Sequence, residues 1–203
     1  MKRHLLLAAM IFATVQPAAQ AADPRFPDWP CVQVRVPELS AAAVWSGPPI
    51  DQVGTAWQDD PAVAELVPRL AARRVPLEEA EKAAAAFVGE GSGDRQEKAK
   101  LLFAGLFDTL DHERQDVISG LERLTRRQRD FARTIEADVA RLRELQAQPG
   151  SDPREVQELT QRVNWGVRIF EERRRTVRYV CEVPVAIERR LFILARTIQQ
   201  ALG

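Results

Sequence analysis

Two cysteines, Cys31 and Cys181, carry the clearest chemistry in this chain of 203 residues. In an oxidising compartment, a pair with no other thiol to choose forms one disulfide. Neither cysteine lies in a Cys-x-x-Cys motif, so a redox-active pair or an intermolecular bridge ranks below a structural staple. Closing so long a loop is worth on the order of 5 kcal/mol in the chain-entropy account.

Residue types suited to catalysis are sparse. Past the N-terminal segment one histidine remains, His112, set between Asp111 and Glu113, where it reads as a solvated surface residue. There is no Gly-x-Ser-x-Gly, no Cys-x-x-Cys-His and no pair of Glu-x-x-His motifs. Gly89-Glu90-Gly91-Ser92-Gly93 lacks the Gly-Lys-Ser/Thr ending of a phosphate cradle and reads as a flexible joint. The carboxylate neighbours Glu78/Glu79 and Glu171/Glu172 point in different directions along a helix, as on a solvated face. The expectation is therefore a non-enzymatic protein with no catalytic residue, metal or cofactor. A carboxylate-based enzyme is kept as an alternative.

Charge concentrates elsewhere. Arg126 and Arg127 stand in one basic run and Arg173 and Arg175 in another, and both runs are interleaved with acids, as expected for helices laced by short-range ion pairs. If these four arginines gather on one side, they offer a surface to an acidic partner or to anionic lipid head groups. Arg174 and Gln128 fall on apolar seams, where a polar pair sets register more than it stabilises. Trp29, Trp45 and Trp57 read first as rings pinning their segment to a helical body. The functional alternative makes Trp45, in Trp45-Ser46-Gly47-Pro48-Pro49, part of a lining for a ligand or a partner segment.

The elements that position these residues are helical. Val117, Leu121, Leu124, Gln128, Phe131, Ile135, Val139, Leu142 and Leu145 recur with a period near 3.5, the mark of a long helix with one adhesive stripe. Asp111, Glu113 and Asp116 would load its first turns with acid. A second stripe passes through Val156, Leu159, Val163, Val167, Phe170, Arg174, Val177 and Cys181. Pro149-Gly150 ends the first arm, and Ser151 or Asp152 with Pro153 starts the second. So short a connection makes the arms antiparallel. Pro184 should end or kink the second arm near Cys181 to Val183.

The predicted fold is all-α: a helical hairpin over about 111–147 and 153–182, packed with shorter helices and an extended, Pro/Trp-rich strap over 22–58. The shorter helices are expected from Asp59 to about Arg74 with a kink or boundary at Pro68, over 77–88, over 94–110, and over 185–202 as a buried terminal helix that turns back at the hairpin base. Helix content agrees with an aromatic fraction of only 6%. Within the strap, Cys31-Val32-Gln33-Val34-Arg35-Val36 alternates with period two and suggests a short extended piece. Domain organisation follows as a cleaved signal segment over 1–21, the strap over 22–58 and one helical domain over 59–203.

Lys2 and Arg3, an apolar run from Leu5 to Val15 and Ala19-Gln20-Ala21 have the form of a cleaved export signal. The run is well short of the roughly 20 residues that cross a bilayer. The expected address is the bacterial periplasm, with eukaryotic secretion as the alternative. The remaining chain carries 27 basic and 29 acidic residues, far from the basic excess of a nucleic-acid binder. Three functions stay open: a periplasmic interaction protein such as an adaptor, assembly factor or accessory subunit, with another periplasmic or membrane-associated protein as partner; a small-molecule or peptide binder using a cleft between strap and helices; and the carboxylate-based enzyme.

Overall fold

The computed structural model describes residues 23–89 and 94–203. The expected export signal over 1–21 and all but Gly89 of the glycine joint lie outside the described residues. Among the described residues six helices form: α1 (Ala41–Val44), α2 (Pro61–Ala71), α3 (Leu77–Gly89), α4 (Arg95–Ala147), α5 (Pro153–Val180) and α6 (Glu182–Leu202), with one 3-10 turn at Ala56–Asp59. No strand occurs among the described residues. The protein is all-α, and its hairpin stands where the stripes place it.

Local chemistry sets the helix starts. Asp60 accepts from the N–H groups of Ala62 and Val63, Asp94 from those of Gln96 and Glu97, and Asp152 from that of Arg154. Each such cap is worth about 1 kcal/mol. Pro61 and Pro153 follow two of them, at positions where a missing N–H costs nothing.

The first arm of the hairpin does not begin at residue 111. It is the outer part of α4, a single helix of 53 residues and about 80 Å. Neither proline nor an Asx cap interrupts the chain near Leu110, so the broad apolar face of 95–110 runs directly into the narrower stripe. Asp111, Glu113 and Asp116 consequently sit in the helix interior, away from its dipole end.

The second arm is nearly as long. α5 stops at Val180 and α6 starts at Glu182, yet Cys181 keeps helical angles (φ −60°, ψ −24°) and its N–H still donates to Val177 O at 2.9 Å. Pro184 interrupts the ladder, as expected, because it has no N–H to offer Val180 O. It then sits harmlessly in the first turn of α6. The terminal helix therefore runs on along α4 and does not turn back. Facing pairs show one antiparallel register throughout: Arg141 with Glu155, Asp138 with Arg162, Gln128 with Phe170 and Arg114 with Glu188.

Burial divides this double rod into two parts. At the base, α2, α3, the inner half of α4 and α6 enclose a core that includes Val67, Leu70, Leu102, Phe103, Leu106, Leu191 and Leu194. Beyond Leu121, among the described residues, only Leu145 on α4, with Leu159 and Gly166 on α5, is buried. Two helices cannot enclose their own seam. Gly166, not Val167, fills the seam of α5, since a Cβ there would lie 3.1 Å from Ile135 Cγ1; Val167 turns outward.

One boundary differs in detail: α2 does not end at Pro68 but passes through it and stops at Ala71, short of Arg74. Its end is capped from outside: the buried Arg190 of α6 donates to Leu70 O at 2.6 Å and Val75 O at 3.1 Å. A cation at the carbonyl end of a helix also suits the dipole. Burial lowers the Arg190 pKa, while Glu113 opposes the shift.

Candidate interaction surface

The strap descends the hairpin antiparallel to α4. Asp28 binds Arg126 and Arg129, Arg35 binds Glu122 at 2.6 Å, and the carbonyls of Val36 and Pro37 accept from Arg114 and Gln115, each at 2.6 Å. On the other side, Cys31 is bonded to Cys181, with Cα atoms 5.5 Å apart, and Gln33 reaches Glu182 at 3.4 Å. The staple inferred from two cysteines is present.

The alternation over Cys31–Val36 is also present, with a polarity opposite to the usual one. Cys31, Gln33 and Arg35 point to the helices, while Val32 and Val34 stand 84% and 76% exposed and Val36 nearly half exposed. Covalent and ionic partners on the helices hold the inward residues, and the pleat sends the valines out. No strand partner accompanies them among the described residues.

At the centre of the crossing lies Arg114, 2% exposed. It joins three elements: its own α4, α6 through Glu188 at 2.6 Å, and the strap through Val36 O. Its remaining Nη1 has no hydrogen-bond partner. The stripe pattern offered no warning of this residue, because Arg114 lies just outside the run that starts at Val117. Two of the three tryptophans, Trp45 and Trp57, pin the strap further down, whereas Trp29, at its outer end, bonds within the strap. Trp45 is 8% exposed, stacks on Phe103 with ring centroids 4.2 Å apart, and donates to Pro48 O. Trp57 lies against Gly105, and Trp29 donates to Gln33 O. Trp45 therefore presents no ring to a partner, which corrects its assignment as a binding residue.

Three of the four arginines expected to form one surface are engaged by separate partners. Arg126 is held by Asp28. That contact and the one from Arg129 keep the Asp28 carboxyl below the usual carboxylate range, against the opposing effect of desolvation. Arg173 lies 5.1 Å from the Phe131 ring centroid on the opposite arm, and Arg175 pairs with Glu172 on its own helix. Arg127 is exposed. Of the two register residues, Gln128 does cross, donating to Phe170 O at 2.8 Å, and leaves its buried Oε1 unpaired. Arg174 does not cross; it is exposed and pairs with Glu171 one turn back.

One groove forms beside Gln128, where the strap leaves the seam. It has a volume of about 430 Å³. Ala132, Phe170 and Val177 give it an apolar floor, Pro30 walls the strap side, and Arg129, Arg174 and Arg178 stand on its rim. No carboxylate lines it among the described residues. Acidic groups gather instead in a base cleft with Asp51, Asp94 and Glu97, where Asp94 is already committed to capping α4. His112 is exposed, 3.7 Å from Asp116. No cluster of three or more metal-binding side chains occurs among the described residues, and no described helix is long and apolar enough to cross a membrane. No family model, curated protein or solved structure matches this chain.

Proposed function

We propose that this is an exported, non-enzymatic interaction protein, an adaptor or accessory subunit of the periplasm, whose outer hairpin is the surface offered to a partner. The observation that carries the reading is the contrast along the double rod. The base has a closed core, whereas the outer arms leave a long seam only partly covered. A seam of this kind gains apolar burial when a third element lies along it, and long, partly covered apolar stripes are suited to receive one.

Export is supported by the Cys31–Cys181 bond, which needs an oxidising compartment to persist, and by the N-terminal sequence pattern. Photo-crosslinking residues placed at Arg127, Trp165 and Arg175 on the outer arms, and at Glu78 and Lys82 on α3, test the proposal in cells. Adducts confined to the arm positions are expected. Adducts from α3 alone, or from no position, would refute it.

The peptide-binding alternative keeps one specific support. Pro30 of the strap walls the groove beside Gln128, so a cleft does exist between strap and helices, although Trp45 takes no part in it.

A further inference from the structure

We infer that the groove beside Gln128 takes an extended peptide segment of a partner protein, one carrying an acidic residue next to an apolar one. This rests on the interaction-protein reading above and specifies the partner's chemistry. Three observations converge on it.

The first is continuity. Along the inner hairpin an extended segment, the strap, already lies on α4 and α6, and it continues outward past Pro30 to Asp28 and Pro27, which bind Arg126 and Arg129. The groove opens beside this outer part of the strap, between Pro30 and Phe170, Arg174, Val177 and Arg178 of α5, next to a surface that already accepts non-helical chain.

The second is the chemistry the strap uses there. Asp28 places a carboxylate on Arg126 and Arg129, and Pro30, two residues on, forms part of the groove wall. The strap thus sets a carboxylate on guanidiniums with an apolar ring close by in sequence.

The third is charge complementarity. The groove offers the same two kinds of site again. Arg178 makes no ion pair among the described residues, and Arg174 is held only by an exposed pair with its helix neighbour Glu171. Such exposed pairs contribute little and exchange readily. Arg129 is already bound by Asp28, so Arg178 and the loosely held Arg174 are the rim cations that remain for a ligand, and with no carboxylate lining it the groove is complementary to an acidic segment. Ala132, Phe170 and Val177 complement the apolar residue beside the acid. The volume is that of a site for a few residues and not for a whole helix.

The probe is the acetylated, amidated peptide Phe-Pro-Asp-Trp-Pro, which repeats strap residues 26–30, titrated into the full-length oxidised protein and read by fluorescence polarisation of a labelled copy. Phe-Pro-Lys-Trp-Pro is the charge control and decanoate the non-peptide amphipathic acid. Saturable binding of the aspartate peptide is expected, weakened at least about tenfold by the lysine control and by Arg178→Glu. Ala132→Trp, which fills the floor, should abolish it without reversing any charge, and circular dichroism with disulfide mapping confirms that both variants fold.

Absence of saturation up to about 1 mM, binding indifferent to Arg178→Glu and Ala132→Trp, or decanoate binding tighter than the peptide would each overturn the inference. So would a signal that follows self-association of the protein rather than peptide concentration. Arm crosslinks that persist in Arg178→Glu would leave the interaction reading standing and remove the groove from it.

Discussion

Arg114 of α4 and Glu188 of α6 form a 2.6 Å ion pair whose two ends differ sharply in solvation: the guanidinium is enclosed and the carboxylate is about one-third exposed. Removing one partner of a buried pair is costly chiefly through the charge left behind. Glu188→Ala strands a buried cation and should cost about 2–3 kcal/mol, below the roughly 3–5 of a fully enclosed pair. Arg114→Met leaves only a carboxylate about one-third exposed and should cost less, by about 1 kcal/mol. Urea denaturation midpoints of the two variants check this order.

The two glycines inside α4 should respond oppositely to alanine. At Gly105 an added Cβ would lie 2.7 Å from Val67 Cγ2 and 2.9 Å from Trp57, in the closed base. At Gly120 the nearest atom is the flexible end of Arg123, 3.8 Å away. Gly120→Ala should therefore raise stability by about 0.5–1 kcal/mol through helix propensity. Gly105→Ala should lower it by about 1–3 kcal/mol through overpacking. Thermal unfolding of both variants separates the effects.

Breaking the Cys31–Cys181 bond should destabilise the protein by about 2–5 kcal/mol. The strap stays in place at neutral pH even so, because Arg35, Arg114 and Gln115 still hold it. Guanidinium denaturation with and without reductant measures the loss, and trapping of thiols in freshly exported protein should find none at Cys31 or Cys181.

Acid should loosen the strap's outer end. The folded pKa of Asp28 lies below its unfolded value of about 3.9. Its contribution is therefore present above that value and lost as the pH falls through the depressed folded pKa. Asp28→Asn should melt earlier than the unmodified protein at pH 7, and the gap should close as acidification passes below the ordinary carboxylate range. Paired melting curves across pH test the sign.

Much of this architecture was legible from residue spacing alone. The seam period, Pro149-Gly150 and the Asp-Pro starts place the hairpin, and two cysteines with no other thiol to choose give the staple. What spacing could not reveal is any feature made by two distant elements meeting. The fusion of 95–110 with the first arm is silent, since an apolar face that narrows looks like two helices. Gly166 displaces Val167 from the seam because close approach of the arms, not hydrophobicity, decides that position. Arg114 and Arg190 are buried only because the strap and the end of α2 supply carbonyls to receive them. Trp45 illustrates the converse: a ring among prolines suggests a site, and Phe103 takes it into the core.

The most direct measurement of the central proposal shortens the arms. Deleting residues 131–144 and 155–168 removes two heptads from each helix, joins stripe to stripe, and retains the Asp152-Pro153 start and the whole base. The complex formed by the unmodified protein in cell-envelope extracts is compared with that of the shortened variant on native gels. The account predicts that the variant keeps its disulfide and cooperative unfolding but forms no complex. A complex formed in undiminished amount by the shortened chain, or none formed by the unmodified protein, would contradict it.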